Sequence, residues 1–115
     1  MIEFNNIKEI EKYYNEDTNT YEFVENCKRL DVKFNFDLKI NANIYARDID
    51  AWDINAKNID AGDINARDID AWDIEYYAVC FANESITCKS IKGNRANSKH
   101  FCLDGEIKIK ESNNE

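Results

Sequence analysis

Residues 44–79 read IYARD-IDAWD-INAKN-IDAGD-INARD-IDAWD-IEYYA-V, and isoleucine returns in them every five residues. Ile44, Ile49, Ile54, Ile59, Ile64, Ile69 and Ile74 are followed by Val79 in the same phase. A helix needs a period of about 3.6 and a flat strand a period of about 2, so this spacing fits neither. A fixed short period marks a repeat architecture and governs how the rest of the chain is read.

A longer period runs through the first. The residue after each Ala is Arg47, Trp52, Lys57, Gly62, Arg67 and Trp72, which repeats after twenty positions, and ARDIDAWDI stands at 46–54 and again at 66–74. Four pentapeptides closing one square turn would set Arg47 beside Arg67 and Trp52 beside Trp72, in turns about 4.8 Å apart. Ile and the Ala two positions later share one face, as in Ile49 with Ala51 and Ile54 with Ala56. That face is the inside. The flanking Asp and Asn must meet water or the corners, because an unpaired buried carboxylate is very costly.

Over roughly residues 38–93 the chain resembles the pentapeptide-repeat proteins, whose units read Ala-Asp/Asn-Leu-x-x. The likeness lies in the period, the Asp/Asn content and the small–large alternation. The phase differs, since Ala here follows the large residue by two positions instead of preceding it. The resemblance implies a right-handed quadrilateral β-helix. The expected fold is therefore all-β, a right-handed parallel β-solenoid of about three four-sided turns, with a short N-terminal helix and a C-terminal β-hairpin as caps.

The flanks read accordingly, within a single domain. Residues 1–37 form an N-terminal cap, 38–93 the solenoid, and 94–115 a C-terminal cap and tail. Ile7, Ile10 and Tyr14 stand at helical spacing in 5–16. Residues 17–20 are a polar break, and 21–30 fit either a strand and turn or a short helix. From Val32 the alternation Val32, Phe34, Phe36, Leu38, Ile40, Ala42 predicts a strand leading into the first turn. The register slips twice. Ile40 to Ile44 is one residue short, and Ile86 comes two residues late after Val79, with the larger Tyr76 and Phe81 in the Ala position. Asp104-Gly105 between two alternating runs signals a hairpin, and 111–115 read as a frayed end.

The 115 residues carry a net charge of −8, three glycines and no proline. No run of about twenty apolar residues occurs, and the opening Met1-Ile2-Glu3-Phe4 starts no signal peptide, so the chain reads as cytoplasmic, in a bacterial host, with no membrane partner. Its richness in Asn, Ile, Lys and Asp is compatible with an AT-rich bacterial or phage genome. Cys27, Cys80, Cys88 and Cys102 lack CxxC spacing and His100 is the one histidine, which argues against a zinc site. No metal or cofactor is expected, and Cys88 reads as a small buried hydrophobe in the Ala position. Nor is an enzyme: the carboxylates are plentiful but undifferentiated, and no cleft is legible.

Charge is segregated along the chain. Residues 40–79 hold Asp48, Asp50, Asp53, Asp60, Asp63, Asp68, Asp70, Asp73 and Glu75 against Arg47, Lys57 and Arg67, a net of −6. Residues 86–110 hold Lys89, Lys92, Arg95, Lys99, Lys108 and Lys110 against Asp104 and Glu106, a net of +4. Solubility and corner hydrogen bonding are one account of the acids. The other is a rigid rod imitating the charge of nucleic acid. Some pentapeptide-repeat proteins are DNA mimics that bind topoisomerases, so the resemblance implies that class. The same physics would serve a phage inhibitor of a defence nuclease, of the anti-CRISPR kind. The partner is then a protein with a basic nucleic-acid channel, and the overall negative charge opposes direct binding of nucleic acid. In the square turn Asp48 lies by Asp68, Asp53 by Asp73 and Asp50 by Asp70, forming three acidic rows. Trp52 and Trp72, stacked on one corner, would anchor a partner; packing under the N-terminal helix is the other role for the pair. The alternative function is an assembly module that oligomerises, for instance as a homodimer, through its Trp and aromatic surfaces.

Overall fold

Five residues make one side of the coil, and three sides make one turn. The computed structural model describes residues 1–110. Its strands are β1 (Ile2–Phe4), β2 (Tyr14–Asn15), β3 (Thr20–Glu22), β4 (Val24–Glu25), β5 (Lys28–Arg29), β6 (Val32–Phe34), β7 (Leu38–Lys39), β8 (Asn43–Tyr45), β9 (Asp48–Ala51), β10 (Asp53–Asn55), β11 (Asn58–Asp70), β12 (Asp73–Cys88), β13 (Ser90–Gly93), β14 (Lys99–Cys102) and β15 (Ile107–Ile109). A 3-10 helix at Ile7–Tyr13 joins β1 to β2. β11 and β12 each bend around two corners and cover all three faces.

Parallel pairing fixes the turn. Ile44 lies against Ile59, Ile49 against Ile64 and Ile54 against Ile69, fifteen residues apart each time. The first face stacks β3, β8, 58–60, 73–76 and β13. The second stacks β1, β6, β9, 63–66, 79–82 and β14. The third stacks β7, β10, 68–70, 85–87 and β15. The result is an all-β parallel solenoid of about five turns.

The four-sided section and the count of three turns are thereby corrected. Ile and Ala point inward as expected, all of them 6% exposed or less from Ala42 to Ile74. Three inward isoleucines and their alanines fill a narrow prism. The twenty-residue period winds diagonally instead: ARDID lies on the second face at 46–50 and on the third at 66–70.

Both slips also resolve differently. Leu38, not Ile40, lies inward against Ile54. In β12 one extra residue enters at each of two corners, opposite Gly62 and opposite Arg67. Val79 therefore faces Asp63 and is exposed, while Cys80 takes the inward place over Ile64. Phe81 lies outward beside Asn65, and Ala82 keeps the Ala position over Ala66. Tyr76 does replace Ala, over Ala61, and is buried. Cys88 is buried too, and burial pushes the Cys80 thiol up to about 12 and raises that of Cys88.

The N-terminal end is closed by aromatic residues. Phe4, Tyr13, Phe23 and Phe34 pack with ring centroids 5.2–5.8 Å apart. A 3-10 helix eclipses residues three apart, so Ile10 and Tyr13 face this cluster while Tyr14, expected on the packing face, is 41% exposed. Residues 24–29 form a tight hairpin in which Asn26 and Cys27 both adopt positive φ (52° and 63°), the two-residue turn that matches strand twist. At the other end the expected hairpin is not formed among the described residues. β14 and β15 each run parallel to β12 and complete a last turn. Gly105 is needed at the corner between them, because a Cβ there would fall 1.7 Å from the Glu84 carbonyl oxygen.

Ile59 is 1% exposed between Ile44 and Ile74. Ile59→Asp should abolish the cooperative melt, since an unpaired buried carboxylate costs several kcal/mol against a total stability of about 5–15 kcal/mol. A circular-dichroism melt within a few degrees of wild type would place Ile59 outside the core.

Candidate functional site

The position just before each Ile is occupied by Asp or Asn, and its side chain clamps successive turns together. Asp48 Oδ1 accepts from the Asp63 amide (3.1 Å), and Asp63 Oδ1 from that of Val79 (3.1 Å). Asn43 Oδ1 accepts from the Asn58 amide (3.1 Å), and Asn58 Oδ1 from that of Asp73 (3.3 Å). Asp68 and Asp73 accept from the hydroxyls of Ser85 (2.9 Å) and Ser90 (2.7 Å). Asp53 takes both Nε (2.9 Å) and Nη2 (2.7 Å) of Arg67, whose pKa this pairing raises.

Asp50, Asp60, Asp70 and Glu75 follow an Ile and stand on the open sheet faces. Asp70 pairs with Lys110 at 2.5 Å and Asp60 with Arg29 at 3.4 Å. Asp50 lies in register beside Lys33, and Glu75 beside Lys92. The charge segregation in sequence thus becomes stacking: cations of the first and last turns sit against acids of the middle ones.

The structure brings the acids together differently from the square-turn rows. Asp48 neighbours Asp63, Asp53 neighbours Asp68, and Asp73 neighbours Asn58. Asp50 lies beside Asn65, and Asp70 beside Asn55. On the first face Glu22, Tyr45, Asp60, Glu75 and Lys92 form one column, with Asp73 in the adjacent one. That face is a shallow groove of about 710 Å³, and the charged side chains lining it are Glu22, Asp60, Asp73, Glu75 and Lys92. Glu22 was not legible as a site residue, because its phase is visible only once β3 is seen to stack under β8.

The tryptophans do not stack. Trp52 stands at the corner between the second and third faces, where its carbonyl accepts from the Arg67 amide (2.6 Å). Trp72 stands at the corner between the third and first, bonded through its backbone to Lys57 below and Lys89 above (2.6 Å each). The ammonium groups of these lysines lie 5.1 and 4.9 Å from its ring centroid, a cation–π sandwich. Neither ring is under the N-terminal helix; Trp52 is 54% and Trp72 44% exposed. Among the described residues no cluster of His, Cys, Asp and Glu could hold a metal ion, and no helix is long and apolar enough to cross a membrane.

Comparison with protein-family models, curated proteins and solved structures finds no match for this chain.

Desolvation raises the Asp48 carboxyl above its usual range, and the charges of Asp31 and Asp63 add to the shift. A folded pKa above the unfolded one gives stability at low pH that is lost as pH rises through the folded value. Asp48→Asn keeps the acceptor for Asp63, as Asn43 and Asn58 do in the same ladder. It should therefore raise Tm by about 2 °C at neutral pH and leave it unchanged near pH 3. A lower Tm at neutral pH would show that the charge itself stabilises the corner.

Proposed function

We propose that this chain is a non-catalytic binding protein whose acidic first face occupies the basic nucleic-acid channel of a bacterial enzyme. The enzyme class is a topoisomerase or a defence nuclease, and an anti-CRISPR-type inhibitor encoded by a phage and acting in the host cytoplasm fits it. Kinship with the pentapeptide-repeat proteins, through a coil with three sides rather than four, belongs to the same proposal.

One observation carries the reading: Glu22, Asp60, Asp73 and Glu75 share a flat groove with a single lining cation, Lys92 at its end. Stacked strands set Asp60 and Glu75 about 4.8 Å apart, and Tyr45 between Glu22 and Asp60 doubles that step to about 9.6 Å, against roughly 3.4 Å per charge along one strand of duplex DNA. Asp73 belongs to the hydrogen-bonded ladder, and the parallel strands fix the backbone positions of all four, which limits the ordering entropy that opposes binding. Such a surface steers a basic channel toward it at long range. The third face serves less well, since Arg67 and Lys110 engage Asp53 and Asp70 there at 2.7 and 2.5 Å, whereas on the first face Arg29 reaches Asp60 at the longer 3.4 Å.

The assembly reading loses its paired anchor, because Trp52 and Trp72 stand on different corners. What favours it now is the exposure of Tyr77, Phe101, Leu103 and Ile109 in the last two turns.

Glu22→Gln, Asp60→Asn, Asp73→Asn and Glu75→Gln together preserve shape and acceptors. The quadruple variant should melt like wild type yet lose capture of a target from bacterial lysate by at least about tenfold, chiefly in association rate. DNA should compete for the captured target, and binding should fall steeply with salt. Equal capture by the variant at low salt, or no competition by DNA, overturns the decoy. Self-association without a captured target favours assembly.

A further inference from the structure

The two ends of the solenoid are finished differently. At the N-terminal end Phe4, Ile10, Phe23 and Phe34 are all 4% exposed or less. At the C-terminal end the inward columns continue with Ile91 over Ile74, His100 over Cys80, Cys102 over Ala82 and Ile107 over Ile86. The four residues below are fully buried, whereas Ile91, Cys102 and Ile107 are only half-buried and His100 is exposed. Ile109, over Cys88, is 56% exposed. Among the described residues β13, β14 and β15 each pair with β12 alone, so one side of every strand of this turn has no strand partner. Open strand edges above an open core are a template for another strand.

The charge of this turn selects the occupant. Lys92, Lys99 and Lys108 point outward from the three edge strands, and Lys89 and Arg95 stand at its corners, against Asp104 and Glu106. A second copy meeting this end with its own would bring lysine against lysine, the device by which exposed edges resist self-pairing. A second copy continuing the coil head to tail would bring an N-terminal end whose core is already closed by Phe4, Ile10, Phe23 and Phe34, though β1 and β7 each keep one side without a strand partner among the described residues. An acidic strand meets neither obstacle.

We infer that the C-terminal end of the solenoid is a docking edge for an extended, acidic segment of a partner protein, which adds to β14 as a further strand and covers the open core. Along β14, Lys99 and Phe101 face out while His100 and Cys102 face in. The segment that fits therefore carries an acid beside Lys99, an aliphatic residue over His100, an aromatic beside Phe101 and an aliphatic over Cys102. Phe101 already packs on Phe81 at 5.0 Å between centroids, which prepares a surface for that aromatic. Main-chain hydrogen bonds would supply affinity and the alternating side chains specificity. This edge is separate from the acidic groove and does not depend on the decoy reading.

The probe is the end-blocked peptide Glu-Val-Phe-Val-Glu-Val, with its Lys-for-Glu counterpart as control, titrated into the full chain by fluorescence anisotropy. The acidic peptide should bind at least about tenfold more tightly than the basic one and should slow amide exchange across 99–102. Lys99→Glu with Lys108→Glu should reverse the preference while leaving the melt unchanged, since both lysines are exposed. The inference is overturned if neither peptide binds, if both bind equally, or if protection appears on the first face. Dimerisation of the wild-type chain through 99–102 would overturn it as well, by assigning the edge to a second copy.

Discussion

Everything in this molecule follows from a core that offers room for only one isoleucine and one alanine per side. Burying an isoleucine contributes about 1.5–3 kcal/mol, and that contribution is realised only if the inward side chains meet. Here they meet across three sides, fifteen residues to the turn. The chain departs from this turn length where the core residues change. At Tyr76 a ring replaces Ala61's methyl in the next turn, and the same strand then takes an extra residue at each of its two following corners.

A coil this thin exposes most of what is not Ile or Ala, which explains the composition. Asp or Asn before each Ile is held at the corner as an acceptor for the turn above, and Asn58 performs this task as Asp63 does. The hydrogen bond accounts for an oxygen at that position, not for a charge. Charge is left as a variable: neutralised by Arg67 and Lys110 on the third face, and met in the groove of the first by Arg29 at Asp60 and Lys92 beside Glu75, with Glu22 and Asp73 lining the same groove. The basic last turn then serves two ends, balancing acids beneath it and giving the open edge its sign.

How much was legible depended on whether the information is local. Inward Ile and Ala, outward Asp, the aromatic N-terminal cap and the buried Cys88 are statements about single residues and neighbours, and the pattern displays them. The number of sides is a closure condition involving residues fifteen apart, and nothing within one pentapeptide states it. The twenty-residue motif pointed to like over like, whereas the structure puts Trp72 between Lys57 and Lys89, where unlike residues attract. Val79 matched the phase by type, yet Cys80 is the residue inside, because a corner insertion is invisible until both turns are aligned. The groove was hidden for the same reason: Glu22 joins Asp60 and Glu75 only through a stack of separate turns.

The central claim, three sides per turn, is tested most directly by cross-linking. Asn58 and Asp73 are register partners on adjacent parallel strands of the first face, while Asp53 lies on the third. Neighbouring strands are about 4.8 Å apart, within the roughly 4.4–6.8 Å between Cα atoms that a disulfide spans. With the exposed Cys27 replaced by Gly, which suits its positive φ, Asn58→Cys with Asp73→Cys should form an intramolecular disulfide under mild oxidation. Asp53→Cys with Asp73→Cys should not. A bond in the second pair and none in the first would mean a twenty-residue, four-sided turn, and the three-sided coil would be wrong.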